Sequence, residues 1–332
     1  MRLLARLFAL AVLIGLGFAG WLAWFASQPL QLATSPLEFS IKPGTPLKAA
    51  SAQMAAAGVG FDPRRFSLLG RLLGRAADIK AGSYQIVRGV TPMQLLDKLT
   101  QGDVTQAAVV FVEGKTFREI RAVLDNHPDV AHDSAALAPR EILARIGAVE
   151  VHPEGLFFPD TYVFDKNSSD LDILRRAYRT MQARLAAEWQ GRDPGLPYAS
   201  PYEALIMASI VEKETGQPAD RPQVASVFVN RLRKGMRLQT DPTVIYGMGE
   251  RFDGNIRKHD LGADTAYNTY TRAGLPPTPI AMPGLASIQA ALHPPASNFY
   301  YFVARGDGSS VFSATLDEHN RAVAKYQKRR GG

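Results

Sequence analysis

The chain has 332 residues, a formal net charge of +7 and 46% hydrophobic residues, enough for two or three folded units rather than one. It has no cysteine, which excludes disulfides, thiolate nucleophiles and cysteine-ligated metal centres. Its lysines and arginines are scattered, with short clusters at Arg231-Leu232-Arg233-Lys234 and Lys328-Arg329-Arg330, so the positive balance reads as solvated helix faces plus a basic tail.

The first element is Leu7 to Ala26, an uncharged apolar run preceded by Arg2 and Arg6. A helix of this length spans the hydrocarbon core of a bilayer. A secretory signal has a shorter apolar region of roughly 7–15 residues, and no strong small-x-small cleavage site with a polar approach follows here. Trp21, Trp24 and Phe25 suit an outer interface, and the arginines before the span predict that Gln28 onward lies outside the cytoplasm. The expectation is an uncleaved single-pass anchor over 7–27 behind a short cytoplasmic tail, 1–6. That topology argues against nucleic acid as a partner.

Leu37 to Ile41 alternates and reads as a strand ending in the turn Lys42-Pro43-Gly44. Leu47 to Ala57 and Arg64 to Arg71 read as helices, Gly82 to Val87 as a strand, and Pro92 to Thr100 as a helix with proline near its start. Ala107 to Val112 is a further strand and Phe117 to Asn126 a further helix. A local repeat runs through this region. Phe39-Ser40-Ile41-Lys42-Pro43-Gly44-Thr45, Gln85-Ile86-Val87-Arg88-Gly89-Val90-Thr91 and Phe111-Val112-Glu113-Gly114-Lys115-Thr116 each take a β run through a glycine turn to a threonine before a helix. Threonine there suits a helix cap. Small β-α units of this kind occur in carbohydrate-binding modules, and equally as a recurrent structural turn.

Glu154 to Phe164 is densely aromatic, suited to a core or to a groove lining. Ile173 to Trp189 is an amphipathic helix, and Gly191 to Tyr202 a turn-rich connector. Tyr202 to Thr215 is a helix stopped by Gly216, with Glu212 and Glu214 near its C-terminus. Three, four and seven residues before Glu214 stand Val211, Ile210 and Met207; the same steps before Glu212 reach Ser209, Ala208 and Leu205. Glu214 therefore has the bulkier apolar face. A carboxyl there is expected to have a raised pKa and to serve as a general acid. The plainer alternative is a solvated or paired helix-end glutamate, with Lys213, Arg221 or Arg231 as partner.

Pro222 to Lys234 carries Val224, Val227, Phe228, Arg231 and Leu232 on one stripe. Gln239, Thr240 and Asp241 then lead into a proline-stiffened turn, with Gln239 a candidate hydrogen-bonder to a sugar or peptide amide and Asp241 equally a turn former. In Ala266-Tyr267-Asn268-Thr269-Tyr270, two tyrosines flank an amide and a hydroxyl, a set that stacks on and bonds to sugar rings or packs a loop. Gly308-Ser309-Ser310 reads as a hairpin turn between tyrosine- and phenylalanine-rich strands, before a terminal helix. The six histidines form no close metal pair, and no serine elbow, phosphate loop or dinucleotide fingerprint is present, so no metal or cofactor is expected. Carboxylate acid/base chemistry is the best-supported enzyme class.

Five stretches, in order, resemble the endolytic murein transglycosylase family, the membrane-anchored YceG-like proteins of bacteria. They are 208–215 (Ala-Ser-Ile-Val-Glu-Lys-Glu-Thr), 238–247, 266–270, Gly274-Leu275-Pro276-Pro277 with Pro279-Ile280, and 299–303; Glu154 to Tyr162 also resembles a family segment. The resemblance implies an α+β fold with an N-terminal transmembrane helix, a small LysM-like β-α subdomain (36–106), a connecting α+β region (107–200), a mixed catalytic region (201–328) and a flexible tail (329–332). It implies cleavage of nascent peptidoglycan at the bond between N-acetylmuramic acid and N-acetylglucosamine, leaving 1,6-anhydro ends. It places the catalytic carboxyl at Glu214, the second glutamate of the triplet. Gln239, Thr240, Asp241, Tyr267, Asn268, Thr269, Tyr270 and Glu212 are assigned to substrate. Penicillin-binding proteins and the elongation or division synthases are the protein partners it suggests. A non-catalytic glycan-binding scaffold and a hydrolytic muramidase using Asp241 as second carboxylate are the alternatives.

Overall fold

The computed structural model describes residues 2–327, and the Lys328-Arg329-Arg330 cluster with the tail expected at 329–332 lies outside the described residues. The uncharged N-terminal run forms α1 (Arg2–Ser27), a helix long and apolar enough to cross a membrane. The chain divides into two compact units, residues 1–108 with 163–168, and 109–162 with 169 onward. The fold is mixed α+β.

After α1, the first unit contains β1 (Gln31–Leu32), β2 (Leu37–Ile41), α2 (Leu47–Ala56), β3 (Val59–Gly60), α3 (Pro63–Leu72), β4 (Gly82–Ile86) and α4 (Pro92–Gln101). In β2, Leu37, Phe39 and Ile41 are buried while Glu38 and Ser40 are exposed, the period-two pattern of a half-buried strand. It pairs antiparallel with β4, from Leu37 opposite Ile86 to Ile41 opposite Gly82. Phe39 stacks on Tyr84 at 5.6 Å between ring centres. The two helices lie between the strands in sequence, giving a strand–helix–helix–strand order. Met54, Phe66, Leu69, Leu95, Leu96 and Leu99 fill the core beneath them, and Phe25, near the end of α1, belongs to that same core.

The chain changes unit within β5 (Gln106–Val110) and again within β7 (Thr161–Asp165). The second unit takes α5 (Phe117–Asp125), β6 (Val130–Ala131) and α6 (Pro139–Ile146), and after β8 (Ser168–Ser169) it continues with α7 (Asp170–Gly191), α8 (Pro201–Glu214) and α9 (Arg221–Arg233). Next come α10 (Asp241–Met248), α11 (Lys258–Gly262), α12 (Leu285–Leu292), the hairpin β9 (Tyr301–Ala304) and β10 (Ser310–Ser313), and α13 (Leu316–Tyr326). Helix α8 is the hub: it touches α7, α9, α10 and α12, and every residue from Ala204 to Val211 is buried. A helix apolar all round belongs in a core.

The elements expected from periodicity are present with ends moved by one to three residues, as helix ends fray. The repeat is a capped turn in two of its three copies. Thr91 and Thr116 form capping boxes with Gln94 and Glu119, and Gly89 and Gly114 hold φ of 94° and 73°, the left-handed region. In the first copy the cap position falls on Pro46, which has no side-chain bond to offer, so Thr45 does not cap α2. The aromatic stretch is core: Leu156 and Phe157 are fully buried, and Phe157 stacks on Phe117 at 5.3 Å. The stiff turn expected at Asp241-Pro242 is instead the start of α10. Proline in the first helical turn removes an N–H that has no intrahelical partner anyway.

Candidate active site

Helix α8 begins where Ser200 accepts the Glu203 N–H at 3.3 Å and Pro201 takes the first helical position. It ends on Glu214, beyond which Thr215 is extended. The two glutamates of the triplet are two residues apart and so point to different sides. Their surroundings differ accordingly.

Glu212 is 7% exposed, and its Oε2 accepts the Gly284 N–H at 3.0 Å and the Ser287 hydroxyl at 2.7 Å. Gly284 is the N-cap of α12, so Glu212 provides that cap from another helix and sets a negative charge against the positive end of the helix. Arg221 Nη2 stands 3.7 Å from its other oxygen. Glu113 lies on the same spot: a Cβ on Gly284 would come within 1.8 Å of Glu113 Oε1, so any larger residue there would displace the Glu113 carboxyl. Burial, and the like charge of Glu212, push the Glu113 carboxyl above its usual range, against the pull of Arg221. The loop bearing Glu113 is pinned by Gly114 N–H to Met282 O and Met282 N–H to Lys115 O, both 2.8 Å, and by Lys213 Nζ to Gly114 O at 3.2 Å.

Glu214 is half-buried and receives one hydrogen bond, from Thr240 Oγ1 to its Oε2 at 2.5 Å. Burial pushes its carboxyl above the usual range, and the neighbouring Asp241 adds to this; the Thr240 hydroxyl and the Arg231 charge oppose it without cancelling it. Thr240 is itself fixed: its N–H bonds Thr269 Oγ1 at 3.1 Å, and the hydroxyls of Thr269 and Thr243 pair at 2.9 Å. Thr243 in turn donates to Thr240 O at 2.8 Å. Gln239 precedes this knot at φ 49°, uncommon for a residue with a side chain, and its N–H bonds Thr269 O at 3.1 Å. The backbone thus turns sharply to aim Thr240 inward while the Gln239 side chain remains exposed.

The other residues expected to meet substrate divide into two groups. Tyr270 donates its hydroxyl to Asp241 Oδ1 at 2.6 Å, and Glu214 and Asp241 both raise the pKa of that tyrosine, after burial. Glu214, Thr240, Asp241 and Tyr270 are therefore one cluster. Asn268 is 1% exposed and its amide is used by its own loop, donating to Asp260 O, Leu261 O and Ala263 O and accepting the Tyr270 N–H. Thr269 is likewise buried in the threonine knot. Tyr267 bonds Thr278 Oγ1 at 2.8 Å and packs edge-on to Tyr246 at 4.9 Å.

Three charged residues outside the expected set support these positions. Arg231, 8% exposed, donates Nε to Tyr300 O and Nη1 to Leu238 O, both at 2.7 Å, tying α9 to the strand edge and to the loop that carries Thr240. Its place on the apolar stripe of α9 was the visible signal. Glu154, 3% exposed, accepts the Phe117 N–H at 2.9 Å and the Tyr246 hydroxyl at 3.0 Å; burial pushes its carboxyl up to about 7. Nothing in its aromatic neighbourhood marks it in the sequence. Glu113 had a faint signal, as an acid standing where the other two repeat copies carry Lys42 and Arg88.

Elsewhere in this unit, a cavity of about 490 Å³ opens beside the first turns of α8, lined by Tyr202, Glu203, Ile206, Leu275, Pro276 and Pro277. From Ile206 to Glu214 the helix rises about 12 Å. Asp125, His132 and Asp170 bring possible metal-ligand atoms within 4.8 Å of one another, but Asp170 already accepts the Ser134 N–H and hydroxyl.

The chain is 35% identical over 276 residues to an endolytic murein transglycosylase of Bacillus subtilis, covering 76% of this chain and 74% of the relative. It is 26% identical to an endolytic murein transglycosylase of Streptococcus pneumoniae, covering 75% of this chain but only 51% of that longer protein. The crystal structure of a YceG-like protein from Listeria monocytogenes superposes with a TM-score of 0.53 at 30% identity, covering 86% of this chain and 99% of the other. With the YceG-like family profile matching residues 39–325, the chain belongs to the YceG-like family.

Proposed function

We propose that this protein is an endolytic peptidoglycan lytic transglycosylase, cleaving between N-acetylmuramic acid and N-acetylglucosamine in nascent glycan strands to leave 1,6-anhydro ends. The observation that carries the reading is Glu214: one half-buried carboxyl, raised in pKa and oriented by a single hydroxyl. Protonated, it donates to the glycosidic oxygen as the C1–O bond breaks and positive charge develops on the sugar ring. As carboxylate it then takes the proton of the sugar's own C6 hydroxyl, whose oxygen bonds C1. The carboxyl ends as it began and no water is consumed. One carboxyl in two roles suffices because the substrate supplies the nucleophile, unlike the paired carboxylates of hydrolases.

Asp241 favours one rival, a muramidase that hydrolyses the same bond. It is exposed and close enough to Glu214 to raise its pKa, as a water-activating partner should be. Its Oδ1, however, already accepts the Tyr270 hydroxyl. Within this reading Gln239, Asp241, Tyr267 and Tyr270 face the glycan, while Thr240, Asn268, Thr269 and Glu212 hold the site together. Helix α1 serves as a single-pass anchor with the N-terminus cytoplasmic and both units outside. The strand–helix–helix–strand order of the first unit supports a LysM-like glycan-binding role, and wall synthases are the proposed protein partners. Mass analysis of digested glycan tests the reaction: anhydro ends are one water lighter than reducing ends, and reducing ends alone would exclude the transglycosylase. Glycan binding with no cleavage would leave the scaffold.

A further inference from the structure

We propose that the outer face of α3 lies on the bilayer surface and binds anionic phospholipid headgroups, so that the first unit is docked on the membrane and not loosely tethered to it. The inference rests on the reading of α1 as a bilayer anchor. It starts from length. At 1.5 Å per residue the 26 residues of α1 extend about 39 Å, against a hydrocarbon core of about 30 Å. Arg2 to Arg6 take up most of that surplus at the N-terminal end, so the outer end of the span falls in the last turn of α1. That end is part of the first unit: Phe25 is buried in its core, with Leu22 and Ala26 packed against that core. Arg65 of α3 places its guanidinium 5.3 Å from the centre of the Trp21 ring, and Trp21 stacks on Phe25. So α3 is held within a side chain's reach of the level at which α1 would leave the bilayer.

The composition of α3 fits that level. Its inner side buries Phe66, Ser67, Leu69 and Gly70. Its outer side carries Arg64, Leu68 and Leu72 in an i, i+4, i+8 row, with Arg65 and Arg71 flanking it. Leu68, Leu72 and Leu73 are 36%, 54% and 43% exposed. An apolar row bordered by arginines is unfavourable against water and favourable at a headgroup boundary, where leucines enter the acyl edge and arginine stems reach up to phosphate. An apolar groove of about 640 Å³ continues the patch from α3 onto the anchor, lined by Ala19, Leu22, Ala23, Leu69, Leu73 and Met93. Charge selects the lipid. Arg64, Arg65 and Arg71 stand against Asp62, which caps the helix through the Arg64 N–H at 2.8 Å and has its other oxygen 3.8 Å from Arg65 Nε, leaving Arg64 and Arg71 as the charges that select lipid. Each arginine near an anionic surface contributes about a fivefold gain in binding.

The absence of native cysteine makes the test direct. Leu13→Cys, in mid-anchor, and Leu72→Cys, on α3, are each spin-labelled in the full chain. The chain is placed in nanodiscs of phosphatidylcholine with or without phosphatidylglycerol, and collisions with oxygen are compared with collisions with a water-soluble nickel chelate. The expected result is an oxygen-favoured label at 13 in both lipids, and a label at 72 shielded from nickel when phosphatidylglycerol is present. That shielding drops with phosphatidylcholine alone and with Arg64→Glu/Arg71→Glu; Arg64→Gln/Arg71→Gln, a milder pair at exposed sites, gives an intermediate loss. A nickel-accessible label at 72 in both lipids, with the label at 13 still oxygen-favoured, overturns the proposal and leaves the anchor intact. Equal shielding in both lipids overturns the headgroup selectivity. A nickel-accessible label at 13 removes the anchor reading and the proposal with it.

Discussion

The two sides of the α8 C-terminus use the same residue type to opposite ends. On one side Glu212 is saturated: a backbone N–H, a serine hydroxyl and a guanidinium all converge on it. On the other side Glu214 has one hydroxyl, a like-charged neighbour and a buried setting. The several partners of Glu212 tie its helix to the start of α12, whereas burial with a single donor raises the proton affinity of Glu214. Position on the helix does not distinguish them, since both lie in its last turn. What lies opposite each of them does.

The largest break in this contrast is Glu214→Gln, which keeps the shape and the Thr240 contact but cannot exchange a proton. Glycan cleavage should fall by about a hundredfold to ten-thousandfold, with the melting temperature nearly unchanged. Retained cleavage would falsify the assignment.

Glu154 extends the comparison to a third carboxyl, buried deeper and away from the triplet. Its folded pKa is raised from 4.5 to about 7, so the folded protein binds a proton that the unfolded chain has released across that interval. Stability from this group is full below about pH 4.5 and is lost as pH rises through about 7, by up to about 3 kcal/mol. Denaturant unfolding of Glu154→Gln across this window should show a flatter pH slope than the wild type; an unchanged slope contradicts the buried, protonated state.

Glu212→Ala should act on the scaffold. Uncapping α12 is expected to cost about 1–2 kcal/mol, a few degrees in a melting scan, while cleavage by the folded fraction stays well above that of Glu214→Gln. Equal losses of cleavage for the two variants would erase the distinction.

The smallest effect is that of Thr240→Val. The Thr240 hydroxyl lowers the Glu214 pKa, so removing it lets the pKa rise further. The alkaline limb of the pH–rate profile should move upward, with a lower maximal rate, and Thr240→Ser should restore both. A limb that stays in place would mean that Thr240 does not set the proton affinity of the acid.

Much of this was legible along the chain because it depends on local spacing. The alternation of Leu37 to Ile41, the threonine caps at Thr91 and Thr116, and the apolar run of α1 follow from periods of two and 3.6 and from turn chemistry. The apolar neighbours of Glu214 three, four and seven residues back were the local signal that set it apart from Glu212. The roles of Asn268 and Thr269 were not legible in this way. Nothing local indicates that an amide flanked by tyrosines will be consumed by three carbonyls of its own loop.

The sequence by itself determined the apolar helix, the alternating strands and the helix that ends in the Glu-Lys-Glu triplet, because each is a matter of periodicity and composition within a few turns, while the choice of Glu214 rested mainly on the family resemblance. Only the tertiary structure decided which glutamate of the triplet is capped and which is left with one donor. The Gly284 N–H, the Ser287 hydroxyl and the Thr240 hydroxyl reach α8 from segments 26 to 75 residues away. Proton affinity in a buried site is set by such long-range partners and by desolvation, and neither is encoded in the spacing of neighbouring residues.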